Sequence, residues 1–181
     1  MTDPELEPLR YPVGRFRPEL HIDDARRAVF IEQIAALPAT LRAAVQDLAD
    51  AQLDTPYRPG GWTIRQVVHH VPDSHLNSYL RVKLALTEDN PTIKPYLEAE
   101  WAKLPDSRLP VEVSLRLLEA VHERWVVLLR SLEPDQWART FLHPERGPMT
   151  LDVNLQLYAW HGRHHLAHVT NALARPPLAA R

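Results

Sequence analysis

The sequence predicts an all-α protein, a four-helix bundle with long crossover loops. Four long stretches place apolar residues at the three- and four-residue spacing of helices. Loop-like segments, several of them rich in proline, separate these stretches. No stretch shows convincing strand-like alternation. Four helices joined by long connections bury such apolar faces in a bundle.

The first predicted helix begins after Asp23 and Asp24, acidic residues that precede the helix-period segment 25–34. Pro38 is expected to kink or break this helix, and a second helical run covers residues 41–53. The preceding residues 1–22 are proline-rich and predict an irregular arm that lies over the domain. We expect residues 1–181 to form one domain.

The second long helix is predicted from Thr63 to about residue 87. Thr63 and Gln66 have the spacing of a capping box, in which each side chain binds the other residue's backbone amide. Pro72 is expected to interrupt this helix, because it leaves the Val68 carbonyl without a helical partner.

Two further long helices follow. Residues 88–110 form a long connection with one short helix around 97–104, and the third long helix covers about 111–131. The fourth starts at residue 150 or 151 and ends near 174, because Pro176 and Pro177 stop it.

The composition excludes several classes of function. The chain has 21 Lys+Arg against 23 Asp+Glu, so no basic surface predicts a nucleic-acid partner. It has no cysteine, which excludes cysteine zinc sites and cysteine nucleophiles; any thiol must come from a ligand. No signal peptide is evident, and no apolar run approaches the ~20 residues of a membrane helix. We expect a cytoplasmic protein without a membrane partner.

Four of the ten histidines fall on one face of the fourth helix: His161, His164, His165 and His168. The first and third are four residues apart, so their imidazoles can close on one ion. His164 and His168 have the same spacing, so geometry alone does not decide which pair binds an ion. A lone histidine on such a face is more often a hydrogen-bonded core residue. Four together favour a metal site, because each buried imidazole must be satisfied or stay neutral.

The second helix carries His69, His70 and His75. His70 lies off the apolar stripe, on a polar face with Gln66, Asp73, Ser74, Asn77 and Arg81. Such a face is commonly solvated surface, and the alternative is the floor of a polar pocket. His75 falls on the apolar stripe of an unbroken helix, which favours a core histidine.

Four segments carry a family resemblance: YPVGRF at 11–16, YRPGGWTIRQVVHH at 57–70, DSHLN at 73–77 and YAWHGRHH at 158–165. They closely resemble the YfiT-type metal-dependent hydrolases of the DinB-like superfamily, a group that includes bacillithiol transferases. The similarity spans about residues 10–174.

The resemblance implies a DinB-like four-helix bundle, often a homodimer, with one divalent metal held by three histidines. Carried over, the ligands are His70, His161 and His165, with His69 as the fallback in the second helix. Zinc is the expected metal and nickel the alternative. The roles of His75, His164 and His168 stay open.

Three histidines leave zinc an open position, as in catalytic sites. The resemblance implies either thiol transfer or hydrolysis, and we favour transfer of a low-molecular-weight thiol, such as bacillithiol, to an electrophile. A metal-bound hydroxide that hydrolyses its substrate is the alternative, and a metal-binding module without turnover is the second alternative. Four polar residues of the second helix are candidates for orienting a histidine or binding substrate: Asp73, Ser74, Asn77 and Arg81.

Overall fold

The computed structural model describes residues 5–175, and in these the chain forms seven α-helices and one two-stranded hairpin. The helices are α1 (Glu7–Arg10), α2 (Asp24–Val45), α3 (Asp50–Leu53), α4 (Ile64–Thr87), α5 (Glu98–Trp101), α6 (Val111–Arg130) and α7 (Leu151–Leu173). The four long helices form the bundle: α2 and α4 each pack against both α6 and α7. The predicted four-helix bundle is confirmed.

Pro38 was expected to kink or break the first long helix, and it does not break it. Helix α2 runs through Pro38 to Val45, and only Asp50–Leu53 of the expected second run forms a separate helix, α3. Proline lacks the N–H that would bind the carbonyl of Ile34 four residues earlier. His122 of α6 binds this carbonyl instead, with its Nδ1 2.7 Å from the oxygen. A tertiary contact therefore replaces the missing helical hydrogen bond.

Helix α4 begins as predicted. The Thr63 hydroxyl accepts from the Gln66 amide at 3.1 Å, and the Gln66 side chain accepts from the Thr63 amide at 3.0 Å. Pro72 is buried inside this helix and does not interrupt it, contrary to expectation. Helices α6 and α7 end within a residue of their predicted limits. The expected stop at Pro176 and Pro177 lies outside the described residues.

A short hairpin was not predicted. Strands β1 (Thr140–His143) and β2 (Gly147–Thr150) pair antiparallel, with Gly147 in the left-handed region at φ 77°. The hairpin is tied to the connection after α4, because the Ile93 amide donates to the Leu142 carbonyl at 3.0 Å. In the same connection the expected short helix is α5, followed by a 3₁₀ turn at Pro105–Arg108.

The N-terminal arm lies along α7 over its described residues 5–22. The Trp160 indole donates to the Gly14 carbonyl at 3.1 Å, and the Glu19 amide donates to Gln156 Oε1 at 2.7 Å. The arm was expected to be irregular, but it contains one short helix, α1. Residues 1–4 of the predicted arm lie outside the described residues.

Helix α2 is long and apolar enough, by length and composition, to cross a membrane. Its residues Phe30, Ile34 and Leu41 are nevertheless buried in the apolar core of the bundle. A helix of a soluble bundle can have this composition, so the feature is weak evidence for a membrane span.

Candidate metal centre

Three histidines from two helices meet at one end of a cavity. His70 comes from α4, and His161 and His165 lie one turn apart on α7. Their ligand nitrogens all lie within 4.8 Å of one another. His70 Nε2 and His161 Nε2 are 3.3 Å apart. Two nitrogens bound to a tetrahedral zinc ion at about 2.0–2.1 Å are separated by roughly 3.3 Å, so the cluster fits a divalent cation.

Burial keeps these three imidazoles neutral. It lowers the pKa of His70 to about 4, and it lowers the pKa values of His161 and His165 well below the usual range. A metal ligand must be unprotonated, so each ring offers a lone pair at neutral pH. No carboxylate joins this group among residues 5–175. A cation held here would keep its full positive charge.

A second histidine group shares one member with the first. The ligand nitrogens of His164, His165 and His168 also lie within 4.8 Å of one another. His168 Nε2 is 3.2 Å from the Arg10 carbonyl, so only its Nδ1, which is 3.4 Å from His165 Nδ1, is left for an ion. The first group takes its ligands from two helices and the second from α7 alone, which favours His161 and His165, a choice that helical spacing left open.

His69, the fallback ligand, faces away from the cluster. Its Nδ1 is 2.6 Å from Ser114 Oγ, and its Nε2 is 2.9 Å from the Leu109 carbonyl. Both nitrogens are therefore used in hydrogen bonds to α6 and the segment before it. His70, and not the adjacent His69, reaches the cluster.

His75 is a core histidine, as the apolar stripe predicted, and is fully buried. It also connects the cluster to α6: its Nε2 is 3.1 Å from His161 Nδ1, and its Nδ1 is 2.9 Å from His122 Nε2. His122 was not predicted to take part. The available signal was a histidine on the buried stripe of α6 between Leu118 and Trp125.

The cluster opens onto a cavity of about 370 Å³. Helices α4 and α7 form one side of it, and the connection after α4 and the hairpin form the other. The sequence left open whether the polar face of α4 is solvated surface or the floor of a pocket. In the structure it is the floor of a pocket. Besides the three histidines, several residues that line the cavity bear on its chemistry. They are Trp62, Ser74, Arg81, Tyr96, Glu98, His143, Glu145, Arg146, Met149 and Tyr158. The loop and hairpin residues among them were not predicted.

Two of the four polar candidates line this cavity. Ser74 Oγ is 3.5 Å from His161 Nε2 and 3.4 Å from Tyr158 Oη, so a hydroxyl stands beside the cluster. Arg81 is only 9% exposed, and no ion pair joins it to an acid within residues 5–175. A buried guanidinium without an acidic partner is costly, which suits an anionic ligand.

The other two candidates do not line it. Burial, and secondarily Asp106, raises the pKa of Asp73 to about 6. The Asn77 amide donates to the Asp73 carbonyl at 2.9 Å. In the described part of the chain, Asp73 makes no hydrogen bond to a histidine; His75 and His168 contact the cluster rings instead.

The DinB superfamily family model matches residues 33–169, most of the chain. The chain belongs to the DinB superfamily. Its similar relatives include a Bacillus cereus protein, 58% identical over 170 residues, which span 94% of this chain and 98% of that protein. A Bacillus thuringiensis protein is 57% identical over the same shares. Both relatives carry the provisional name of metal-dependent hydrolase.

Solved structures place this DinB-superfamily chain among four-helix bundles. YfiT from Bacillus subtilis matches with a TM-score of 0.90 and 47% identity, over 93% of this chain and 97% of that one. It is described as a probable metal-dependent hydrolase with an unusual four-helix bundle topology. TT2238, a four-helix bundle protein, matches with a TM-score of 0.53 and 22% identity, which bears on the fold alone.

Proposed function

We propose that the protein is a metal-dependent enzyme in which His70, His161 and His165 hold one divalent cation. The observation that carries this proposal is the meeting of three neutral imidazoles, within 4.8 Å of one another, at the wall of a cavity. The names of the relatives support it. Zinc suits three nitrogen ligands best, and nickel, which imidazole also suits, is the alternative.

The open coordination position favours an enzyme over a module that binds metal without turnover. Structural zinc sites are usually closed by four protein ligands. Within residues 5–175, the group that contains His70 has three potential ligands and no fourth. The remaining position of the cation would face a cavity large enough for a small molecule.

The finer proposal is transfer of a low-molecular-weight thiol, such as bacillithiol, to an electrophile. A cation held by three neutral imidazoles would lower the pKa of a thiol or of water at its remaining position. The chain supplies no cysteine, so the thiol would be a substrate. In the transfer the sulfur–carbon bond forms, the leaving group departs with its electron pair, and the thiol proton passes to solvent.

The residues of the cavity have roles in this proposal. Arg81 would bind an anionic group of the thiol, because a guanidinium and a carboxylate form paired hydrogen bonds. Ser74 Oγ, beside His161, would hydrogen-bond to the bound substrate. The cavity's only described carboxylates, Glu98 and Glu145, are exposed. Among residues 5–175, no buried carboxylate lines the cavity to take a proton from water, which favours a thiol over water.

Hydrolysis is the second candidate, and the names of the relatives favour it. Water would take the same position, and the cation would lower its pKa to about 7. The ligand residues are the same in both candidates, so only the nucleophile separates them.

The deciding experiment compares turnover with and without thiol. The zinc-loaded protein would be assayed with mercaptosuccinate and 1-chloro-2,4-dinitrobenzene, and separately with nitrophenyl esters in thiol-free buffer. Thiol transfer requires both metal and thiol in the first assay. After cobalt substitution, mercaptosuccinate should also produce an intense sulfur charge-transfer band. Metal-dependent ester hydrolysis without thiol, and no spectral response to several thiols, would defeat the transferase proposal and promote the hydrolase.

We also propose that the protein is a homodimer, as the family resemblance implies. From the charge balance and composition we propose that it acts in the cytoplasm with no nucleic-acid or membrane partner. Sedimentation equilibrium tests the dimer. A sedimenting mass equal to the 20.8 kDa chain at micromolar concentration would contradict it.

A further inference from the structure

Three histidines outside the ligand set form hydrogen bonds that end at the ligand rings on α7. We infer that His122, His75 and His168 are positioning residues that hold the protons of His161 and His165 on Nδ1 and thereby direct both Nε2 lone pairs toward the cation. This inference rests on the proposed metal site. It adds residues that contact neither the cation nor the substrate, and it makes a prediction about the metal-free protein.

The longer of the two chains begins at the Ile34 carbonyl. Pro38 removes the amide that would bind this oxygen within α2, and His122 Nδ1 lies 2.7 Å away. A carbonyl only accepts hydrogen bonds, so His122 must carry a proton on Nδ1. His122 is buried and burial lowers its pKa to about 4, so the ring is neutral and its Nε2 is an acceptor.

The direction of each following bond is then fixed. His75 Nδ1 lies 2.9 Å from the His122 Nε2 acceptor and must donate to it. A neutral His75 is left with an acceptor at Nε2, which is 3.1 Å from His161 Nδ1. His161 must therefore donate from Nδ1 and keep a lone pair on Nε2. That lone pair faces His70 Nε2 at 3.3 Å.

The shorter chain fixes His165 in the same way. His168 Nε2 lies 3.2 Å from the Arg10 carbonyl of the N-terminal arm and donates to it. Its Nδ1 is then the acceptor for His165 Nδ1 at 3.4 Å. His165 also keeps its lone pair on Nε2. Each chain starts at a backbone carbonyl and ends at one of the two ligand rings of α7.

The chains orient the ligands and do not conduct protons. Each chain starts at a carbonyl oxygen, which cannot pass a proton onward, and His75 and His122 are at most 2% exposed. Metal-binding histidines commonly donate to a carboxylate or a carbonyl. Here the acceptors are neutral imidazoles, so the surroundings add no negative charge. The cation would keep the electrophilic strength that acidifies a thiol or water.

The decisive measurement is the imidazole ¹⁵N NMR spectrum of the metal-free protein at pH 7.5. His161 and His165 are expected to carry their protons on Nδ1, the minor tautomer of free neutral histidine. A wild-type spectrum with the proton on His161 Nε2 would overturn the inference. This result does not depend on turnover, so it separates failure of the positioning role from failure of the proposed function.

Variants of His122 test the effect on binding of Zn²⁺, measured by competition with a chromophoric chelator. His122→Leu frees His75 to change tautomer and to donate to His161, so the affinity should fall about 10- to 100-fold. His122→Gln keeps one donor and one acceptor and should restore most of it. His69→Leu is the matched control, since it also removes a buried histidine with two hydrogen bonds but lies outside the chains.

A folded His122→Leu protein that binds Zn²⁺ within twofold of wild type would contradict the inference. So would an equal loss in His69→Leu, because that result would indicate a general effect of destabilisation. If His122→Leu does not fold, the wild-type spectrum still decides. If neither the wild-type protein nor any variant binds Zn²⁺, the proposed metal site is wrong. The spectrum of the metal-free protein still tests the hydrogen-bond chains in that case.

Discussion

His70 Nε2 and His161 Nε2 face each other at 3.3 Å, although 91 residues separate the two histidines in the chain. With His161 donating from Nδ1 to His75, as inferred above, its Nε2 carries no proton. The gap between the two nitrogens can therefore hold a proton donated by His70 or a cation shared by both rings. A cation satisfies both lone pairs and also that of His165, which completes the group.

Metal stoichiometry tests the ligand set directly. The purified protein should carry about one divalent metal per chain by elemental analysis, and His161→Ala or His165→Ala should abolish tight binding, because two imidazoles bind more weakly than three. His164→Ala is the matched control on the same helix face, and it should keep full metal. Full occupancy in His165→Ala would show that the ligand set is wrong. Loss in His164→Ala with retention in a His70→Ala protein would indicate the second histidine group.

X-ray absorption of the zinc-loaded protein tests whether the site is open. Three imidazole nitrogens should appear at about 2.0–2.1 Å, together with at least one non-protein ligand. Adding mercaptosuccinate should introduce a sulfur neighbour at about 2.3 Å. Four protein side chains around the ion, unchanged by the thiol, would count against catalysis.

The sequence predicted the helices well where local rules decide. Thr63 and Gln66 mark the start of α4 because a capping box involves residues only three apart. The failure at Pro38 has a non-local cause. The carbonyl that this proline frees is bound by His122, 84 residues further along the chain, and no local pattern contains that contact.

The candidate site was predicted only in part, again because some of it depends on contacts between distant parts of the chain. Spacing on α7 placed His161 and His165 on one face, and the family motif pointed to His70. The cavity's opposite wall depends on strands of only four residues, too short to show alternation. His143 and Arg146 on this hairpin were therefore missed.

Arg81 should determine specificity for anionic substrates. Arg81→Met should raise the KM for mercaptosuccinate about 10- to 100-fold, because a hydrogen bond to a charged group contributes about 1.5–3 kcal/mol. The KM for uncharged 2-mercaptoethanol should change little. Arg146→Met is the control at the same cavity, where an exposed charge is screened and should matter less. Equal increases in KM for both thiols would contradict anion recognition by Arg81.

The metal-free protein should lose stability in mild acid, and His122 accounts for a measurable share. Burial lowers the pKa of His122 from 6.5 to about 4, so between these pH values the imidazole is protonated in the unfolded chain but neutral in the native protein. The contribution of His122 to the free energy of unfolding is therefore complete above pH 6.5 and is lost as the pH falls toward 4. Between pH 7.5 and 5.5 this histidine alone should lower the free energy of unfolding by about 1.4 kcal/mol. Urea denaturation at both pH values should show that His122→Gln loses about that much less than wild type. His21→Gln, a change of an exposed histidine, is the control for loss of a histidine side chain. An identical pH dependence in wild type and His122→Gln would mean that His122 is not held neutral in the native state.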